Sequence, residues 1–218
     1  MLASSSHASV SNVAAGERVA ALAQKRLLRG TTEVMECDLS SLSSVRKFAA
    51  RVCDKHAAVH CLLNNAGVMN CPKSLTVDGI EMQLGTNYVG PWLLTTLLLP
   101  RLEASGDGRV VNVSSANHDV FAGKRGHVDL EDLSFERRPY SGWASYAQSK
   151  LAQVLHAREL ARRHSSVTAV ALHPGSLCTH VTRHMMSFRS GAFAEGRTQD
   201  PGLLHQWRLP QASHCNDL

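Results

Sequence analysis

From residue 12 onward, apolar positions recur in two alternating rhythms, one of helical period and one of short unbroken runs. Asn12 can cap a helix that carries Val19, Leu22, Ala23 and Leu27 on one face, and Gly30 ends it. TEVMEC, residues 32–37, predicts a short strand leading to Asp38. Ser41 or Ser43 then caps a helix with Val45, Phe48, Ala49 and Val52 turned inward. VHCLLN, residues 59–64, is apolar without alternation and predicts a strand covered on both faces.

A helix over 80–103 follows, bent at Pro91, which lacks a backbone donor and crowds the preceding turn. GRVVNVSS, residues 108–115, predicts another buried strand, and the polar loop over 116–141 exceeds the usual connection length, a mark of functional loops. The helix over 143–164 has an apolar stripe and a basic end suited to its negative C-terminal dipole. SVTAVALHPG, residues 166–175, reads as a strand running into a turn. Beyond Thr182 the periodicity dissolves, so 183–218 is expected to be an irregular tail. Alternating helices and strands, with no internal repeat and no Gly-, Pro- or Ser-rich linker, predict an α/β fold around a mostly parallel sheet.

Composition narrows the function classes more than the fold. The 218 residues fit one domain, and a chain of this size buries roughly 70% of its unfolded surface. With 44% hydrophobic and 19% charged residues it reads as a globular protein, neither disordered nor collagenous. The net charge of +5 comes from scattered Lys and Arg without interleaved aromatics, so a nucleic-acid partner is not expected, while an anionic small ligand is compatible. Six cysteines without a CxxC pair are expected as buried thiols of a reducing compartment. Twelve histidines form no HExxH or Cys/His cluster, so no metal is expected.

The most apolar run, residues 91–102, is shorter than the ~20 residues of a membrane span. The first ten residues lack the positive and apolar regions of a secretory signal. A cytoplasmic location is expected, with organelle import as the minor alternative.

Tyr146 and Lys150 stand four apart in YAQSK and project from one helix face. An ammonium beside a phenol favours the phenolate, which brings a group with a pKa of about 10 toward working range as a general acid or base. Such spacing also arises by chance in many helices, and its neighbours give it weight. NVSS ends a strand upstream, NNAG closes an earlier one, Asn87 lies in TNYVGPWLLT, and HPG follows the last strand. In this order and spacing, from about Asn12 to Thr179, the chain resembles the short-chain dehydrogenase/reductase family. YAQSKLAQVLHARELARRH and VNVSSANH are most similar to its retinol-dehydrogenase and WW-domain-oxidoreductase branch.

The resemblance implies a Rossmann-type, doubly wound parallel sheet that binds a nicotinamide dinucleotide. Tyr146 would exchange a proton with the oxygen of an apolar alcohol or carbonyl of retinoid, steroid or lipid-aldehyde type, and Lys150 would lower the Tyr146 pKa and hold the nicotinamide ribose. Ser115, favoured by spacing over Ser114, would hold the substrate oxygen; a strand-end cap is the alternative for either serine. Asn87 would organise a relay water. Asp38 and Leu39 would contact adenine, and Asn64, Asn65, Ala66 and Gly67 would pack on the ribose. Pro174, Gly175, Leu177 and Thr179 would close over the nicotinamide amide and the phosphates, whereas His173 would be structural. Ser11 stands where the family carries an arginine, and with no acidic residue there NADP is favoured over NAD.

Two parts of the family pattern have no match, the seventh strand with the terminal helices after Thr182 and the phosphate-binding turn. The glycine-rich TGxxxGIG turn is missing, since Gly16 is the only glycine before residue 30. SSHASV then takes the place of the second family strand, and 1–182 reads as an incomplete, N-terminally truncated dinucleotide-binding domain. In the family order 3-2-1-4-5-6-7, this loss is expected to leave the third and fourth strands without partners. The alternative function is a non-catalytic remnant that pairs with another family member, as homo- or heterodimer, through the helices at 80–103 and 143–164.

Overall fold

The computed structural model describes residues 5–10, 13–26, 30–120 and 127–175. Strand β1 (Ser5–Val10), helix α1 (Val13–Arg26) and strand β2 (Thr31–Glu36) form a first β-α-β unit. β1 and β2 pair in parallel from Ser5 opposite Thr31 to Val10 opposite Glu36. α2 (Leu42–Lys55) begins where expected: the Ser41 hydroxyl accepts from the Ser44 N–H, and Val45, Phe48, Ala49 and Val52 all face inward.

β3 (Cys61–Asn64), α3 (Met82–Leu84), a π-turn over Gly85–Val89 and α4 (Gly90–Glu103) follow. The irregularity expected at Pro91 is thus a π-turn just before it, with Pro91 inside the first turn of α4, where its missing N–H is tolerated. β4 (Arg109–Val113), the short α5 (Asn117–Val120), α6 (Gly142–Arg163) and β5 (Thr168–Leu172) complete the described elements. β3, β4 and β5 form a parallel sheet in that order, with Asn64 level with Asn112 and Ala171. The parallel α/β architecture is therefore as the sequence predicts.

Two expectations about the sheet need correction. The third family strand corresponds to β2, and it has β1 as its partner; the break falls between β1–β2 and β3–β4–β5, which are not hydrogen-bonded to each other among the described residues. Nor is VHCLLN covered on both faces. Leu62, Val110 and Ala169 turn toward the core formed with Phe48, Leu94, Leu98, Leu102 and Leu160. The opposite face leaves Leu63 59%, Val170 44% and Leu172 41% exposed, and Cys61 with them. Cys37 and Cys71 are buried and Cys53 half-buried, so the expectation of uniformly buried thiols fails at Cys61 for that reason.

α1 departs in the same way. Its predicted apolar face points outward, with Val19 66% and Leu22 63% exposed. Asn12, Leu27 and the tail at 183–218 lie outside the described residues.

One-sided packing predicts one-sided energetics. Leu102, fully enclosed between α4 and the core, should lose about 3 kcal/mol on replacement by alanine. Leu63→Ser, on the uncovered face, should change stability by less than about 0.5 kcal/mol. Urea unfolding of the two variants checks this, and equal losses would contradict the packing described.

Candidate active site

α6 starts at Ser141, whose hydroxyl accepts from the Ala144 N–H, and every residue from Ser145 to Lys150 is buried. A helix enclosed on all sides is held by packing on several elements. Tyr146 and Lys150 project one turn apart from this segment, and the Lys150 Nζ lies 5.7 Å from the centre of the Tyr146 ring. β4 delivers Ser114 and Ser115 beside them. Ser114 is buried, and its hydroxyl donates to the Lys150 carbonyl at 2.8 Å. Ser115 is the serine close enough to the Tyr146 hydroxyl to favour its ionised form. The two serines therefore separate geometrically into one that ties β4 to α6 and one that faces the phenol.

Burial dominates the electrostatics of both groups. Burial pushes the Tyr146 phenol above its ordinary value, and the Ser115 hydroxyl opposes that shift. The Lys150 Nζ donates to the Val113 carbonyl at 2.7 Å and to Gln153 Oε1 at 3.1 Å. Burial in turn holds Lys150 down at about 8.

Asn87, fully buried in the π-turn, lies across from this pair. Its Oδ1 accepts from the Val68 N–H at 2.8 Å, and its Nδ2 donates to the Val68 carbonyl and to Ser149 Oγ, each at 2.9 Å. Its own carbonyl accepts from Gln153 Nε2 at 2.7 Å. The Asn87 side chain is thus held by protein partners at both its oxygen and its nitrogen. Gly67 packs against it so closely that a Cβ would come within 2.8 Å of Asn87 Oδ1.

The expected cofactor residues lie at the carboxyl ends of the parallel strands, the edge where open α/β sheets bind ligands. Asp38 follows β2 and accepts from the Ser40 N–H and hydroxyl at 2.9 and 2.7 Å. Leu39 packs on the core. Asn64 ends β3, but its side chain turns inward, donating to Thr95 Oγ1 at 3.1 Å and Asn112 Oδ1 at 2.9 Å, so only its backbone is free for a ribose. Asn65 and Ala66 are exposed. Pro174 and Gly175 are exposed beyond β5, Gly175 at a φ of 85°, and His173 is exposed as well. Leu177, Thr179 and Ser11 lie outside the described residues. Small or backbone-only surfaces at Asn65, Ala66 and Gly67, beside a buried ammonium, suit the ribose and nicotinamide parts of a dinucleotide. None of the described segments carries the glycine-rich turn for a pyrophosphate.

Sequence reasoning missed Gln153, Ser149 and Asn112. Asn112 links β3 to α6, accepting from Asn64 and donating to the Gln153 carbonyl at 3.0 Å. Their signal was polarity inside an apolar period: Gln148, Ser149 and Gln153 interrupt the stripe of α6 and are all buried.

The model of the family described as short chain dehydrogenase matches residues 3–124. Human retinol dehydrogenase 13 is 49% identical over 149 residues, covering 67% of this chain and 44% of the relative. Bovine retinol dehydrogenase 12 is 41% identical over 207 residues, covering 94% and 62%. The chain thus spans about half the length of the curated relatives it matches. Among solved structures, that of an uncharacterized protein from Mycobacterium Paratuberculosis aligns with a TM-score of 0.65 at 42% identity, over 81% of this chain and 61% of the other. The Pseudomonas aeruginosa RhlG/NADP active-site complex shares the fold, with a TM-score of 0.62 at 22% identity over 83% and 66%. No helix among the described residues is long and apolar enough to cross a membrane. The family model spans more than half of the sequence, the retinol dehydrogenases lie close to it, and the parallel α/β sheet agrees with both, so the chain belongs to the short-chain dehydrogenase family, in its retinol-dehydrogenase-like branch.

Proposed function

We propose that the chain carries the proton-handling site of an NADP(H)-dependent oxidoreductase acting on an apolar alcohol or carbonyl of retinoid, steroid or lipid-aldehyde type. The observation that supports it best is the buried Tyr146, beside the Ser115 hydroxyl and one helical turn from Lys150, whose ammonium lies 5.7 Å from its ring centre. Membership of a dehydrogenase family supports hydride chemistry with a nicotinamide cofactor, and the retinol dehydrogenase relatives support an apolar substrate. Asp38 and Leu39 would meet the adenine, the Asn64–Gly67 turn the ribose, Lys150 the nicotinamide ribose, and Pro174 and Gly175 the nicotinamide end, with Leu177 and Thr179 beyond them. A bound nicotinamide would supply or accept the hydride.

The protein's own part follows from charge states. A phenol with a raised pKa is protonated at neutral pH, so Tyr146 is in the form that donates to a carbonyl oxygen. Ser115 would donate to the same oxygen and so align it for the proton.

The Pseudomonas complex contains NADP, and the absence of an acidic side chain at Ser11 favours NADP in this chain as well. NADPH should bind in the micromolar range by fluorescence titration, and Tyr146→Phe should keep that binding while losing at least ~100-fold in carbonyl reduction. Absence of binding up to millimolar NADPH would sink this reading.

Burial of Lys150 also sets a pH dependence of stability. Its folded pKa of about 8 lies below the ordinary 10.5, so the unfolded chain binds the extra proton between those values. The contribution is therefore present above the ordinary value and lost as pH falls through about 8. Relative to Lys150→Met, the native protein should gain about 3 kcal/mol between pH 7 and 10.5. Parallel urea titrations of the two proteins measure this difference, and parallel pH profiles would contradict it.

A second reading, a non-catalytic partner subunit, is favoured by one surface. Trp92 on α4 and Leu155 on α6 are about half-exposed, and Leu155 borders an apolar cavity of about 440 Å³ with Tyr88, Val89 and Leu151. Under this reading Leu155→Lys lowers the mass observed by sedimentation to that of a monomer.

A further inference from the structure

A buried amide joins Asn87 to Lys150 through contacts that the sequence itself dictates. In an α-helix the carbonyl of residue 87 would accept from the N–H of residue 91. Residue 91 is proline and has no N–H, so the Asn87 carbonyl, which has no solvent exposure, receives no donor in the α-helical register. Gln153 Nε2 supplies one at 2.7 Å.

Donation through the nitrogen fixes the rest of the amide. Its Oε1 is left facing Lys150 Nζ at 3.1 Å. The flipped amide would set carbonyl against carbonyl and NH₂ against ammonium, so both neighbours select one orientation. Gln153 is 1% exposed, and water cannot substitute for either bond without a cavity to hold it.

Lys150 has three N–H donors. Two are committed, one to the Val113 carbonyl on β4 and one to Gln153 on its own helix, which gives the third a defined direction. The groups around Nζ are neutral: Tyr146 and Gln153 from α6, Asn87 from the π-turn, Gly67 after β3 and the Val113 carbonyl. Burial alone depresses the ammonium, without a nearby carboxylate. His156, one turn further along α6, is held toward its neutral form by burial.

We propose that Gln153 is the positioning residue for Lys150, anchored at its amide nitrogen by the Asn87 carbonyl that Pro91 leaves open and aiming the ammonium with its amide oxygen. This rests on the reading of Tyr146 and Lys150 as the proton-handling pair, and Gln153 itself touches neither substrate nor cofactor. Gln153 acts where a passive core residue would not, on the charged form of one lysine.

The test follows the Lys150 side chain directly, in the full chain labelled with ¹³C at lysine Cε, with the signal assigned by loss in Lys150→Met. In Gln153→Leu the charged form loses an acceptor, and the Lys150 midpoint should fall by about one pH unit below that of the native protein. In Gln153→Glu a carboxylate faces the ammonium, and the midpoint should rise by at least as much. Pro91→Ala restores a backbone donor to the Asn87 carbonyl, releases the Gln153 anchor and should lower the midpoint in the direction of Gln153→Leu.

A folded Gln153→Leu protein with an unchanged Lys150 midpoint overturns the proposal. If that variant does not fold, Pro91→Ala decides, and an unchanged midpoint there overturns it equally. These titrations need neither cofactor nor turnover. A protein that shows them yet binds no NADPH refutes the oxidoreductase reading and leaves the role of Gln153 toward Lys150 standing.

Discussion

The site hangs on the requirement that a buried amide satisfy every one of its polar atoms. Asn87 has no water to turn to, so its side chain pairs with both backbone groups of Val68 and with Ser149, and its carbonyl with Gln153. The segment after β3, the π-turn and α6 must therefore converge on one residue. A second chain of amides, Asn64 to Asn112 to the Gln153 carbonyl, ties the ends of β3 and β4 to the same turn of α6. Leaving one of these groups unpaired costs about 1–3 kcal/mol, so the two networks hold the carboxyl ends of the strands at fixed distances from Tyr146 and Lys150.

The elements were legible wherever one period ran without competition. α2 is the clearest case, since Ser41 supplies the cap and the four apolar positions at helical spacing are the four that are buried. The parallel alternation could likewise be read from the residues, whereas the place of β1 (Ser5–Val10) came only through the family resemblance. Less legible was which faces are covered, because coverage depends on what lies across from a residue and not on its own polarity. Val19, Leu22 and Leu63 are as apolar as Val45 and Phe48, yet no described element packs over them. In the site, the types and spacing of Tyr146, Lys150 and Ser115 pointed to one another, but the direction of the ammonium did not follow from spacing. It is set by Val113 and Gln153, one on another element and one that looked like an ordinary helix residue.

The β3–β4–β5 sheet is asymmetric. Its inner face holds Leu62, Val110 and Ala169 against the helices, whereas Leu63, Val170 and Leu172 remain open. Parallel sheets are normally sheltered on both faces, and an open apolar face is a surface on which association can begin.

Pro91 adds a different kind of permanence. Most hydrogen-bonding vacancies in a helix open and close as the backbone breathes or as pH and salt change. The one at the Asn87 carbonyl is written into a pyrrolidine ring and persists in every folded conformer. An acceptor that the α-helical register cannot reclaim stays open to the Gln153 amide, so the alignment of α6 against the π-turn is favoured by covalent structure before any ligand arrives.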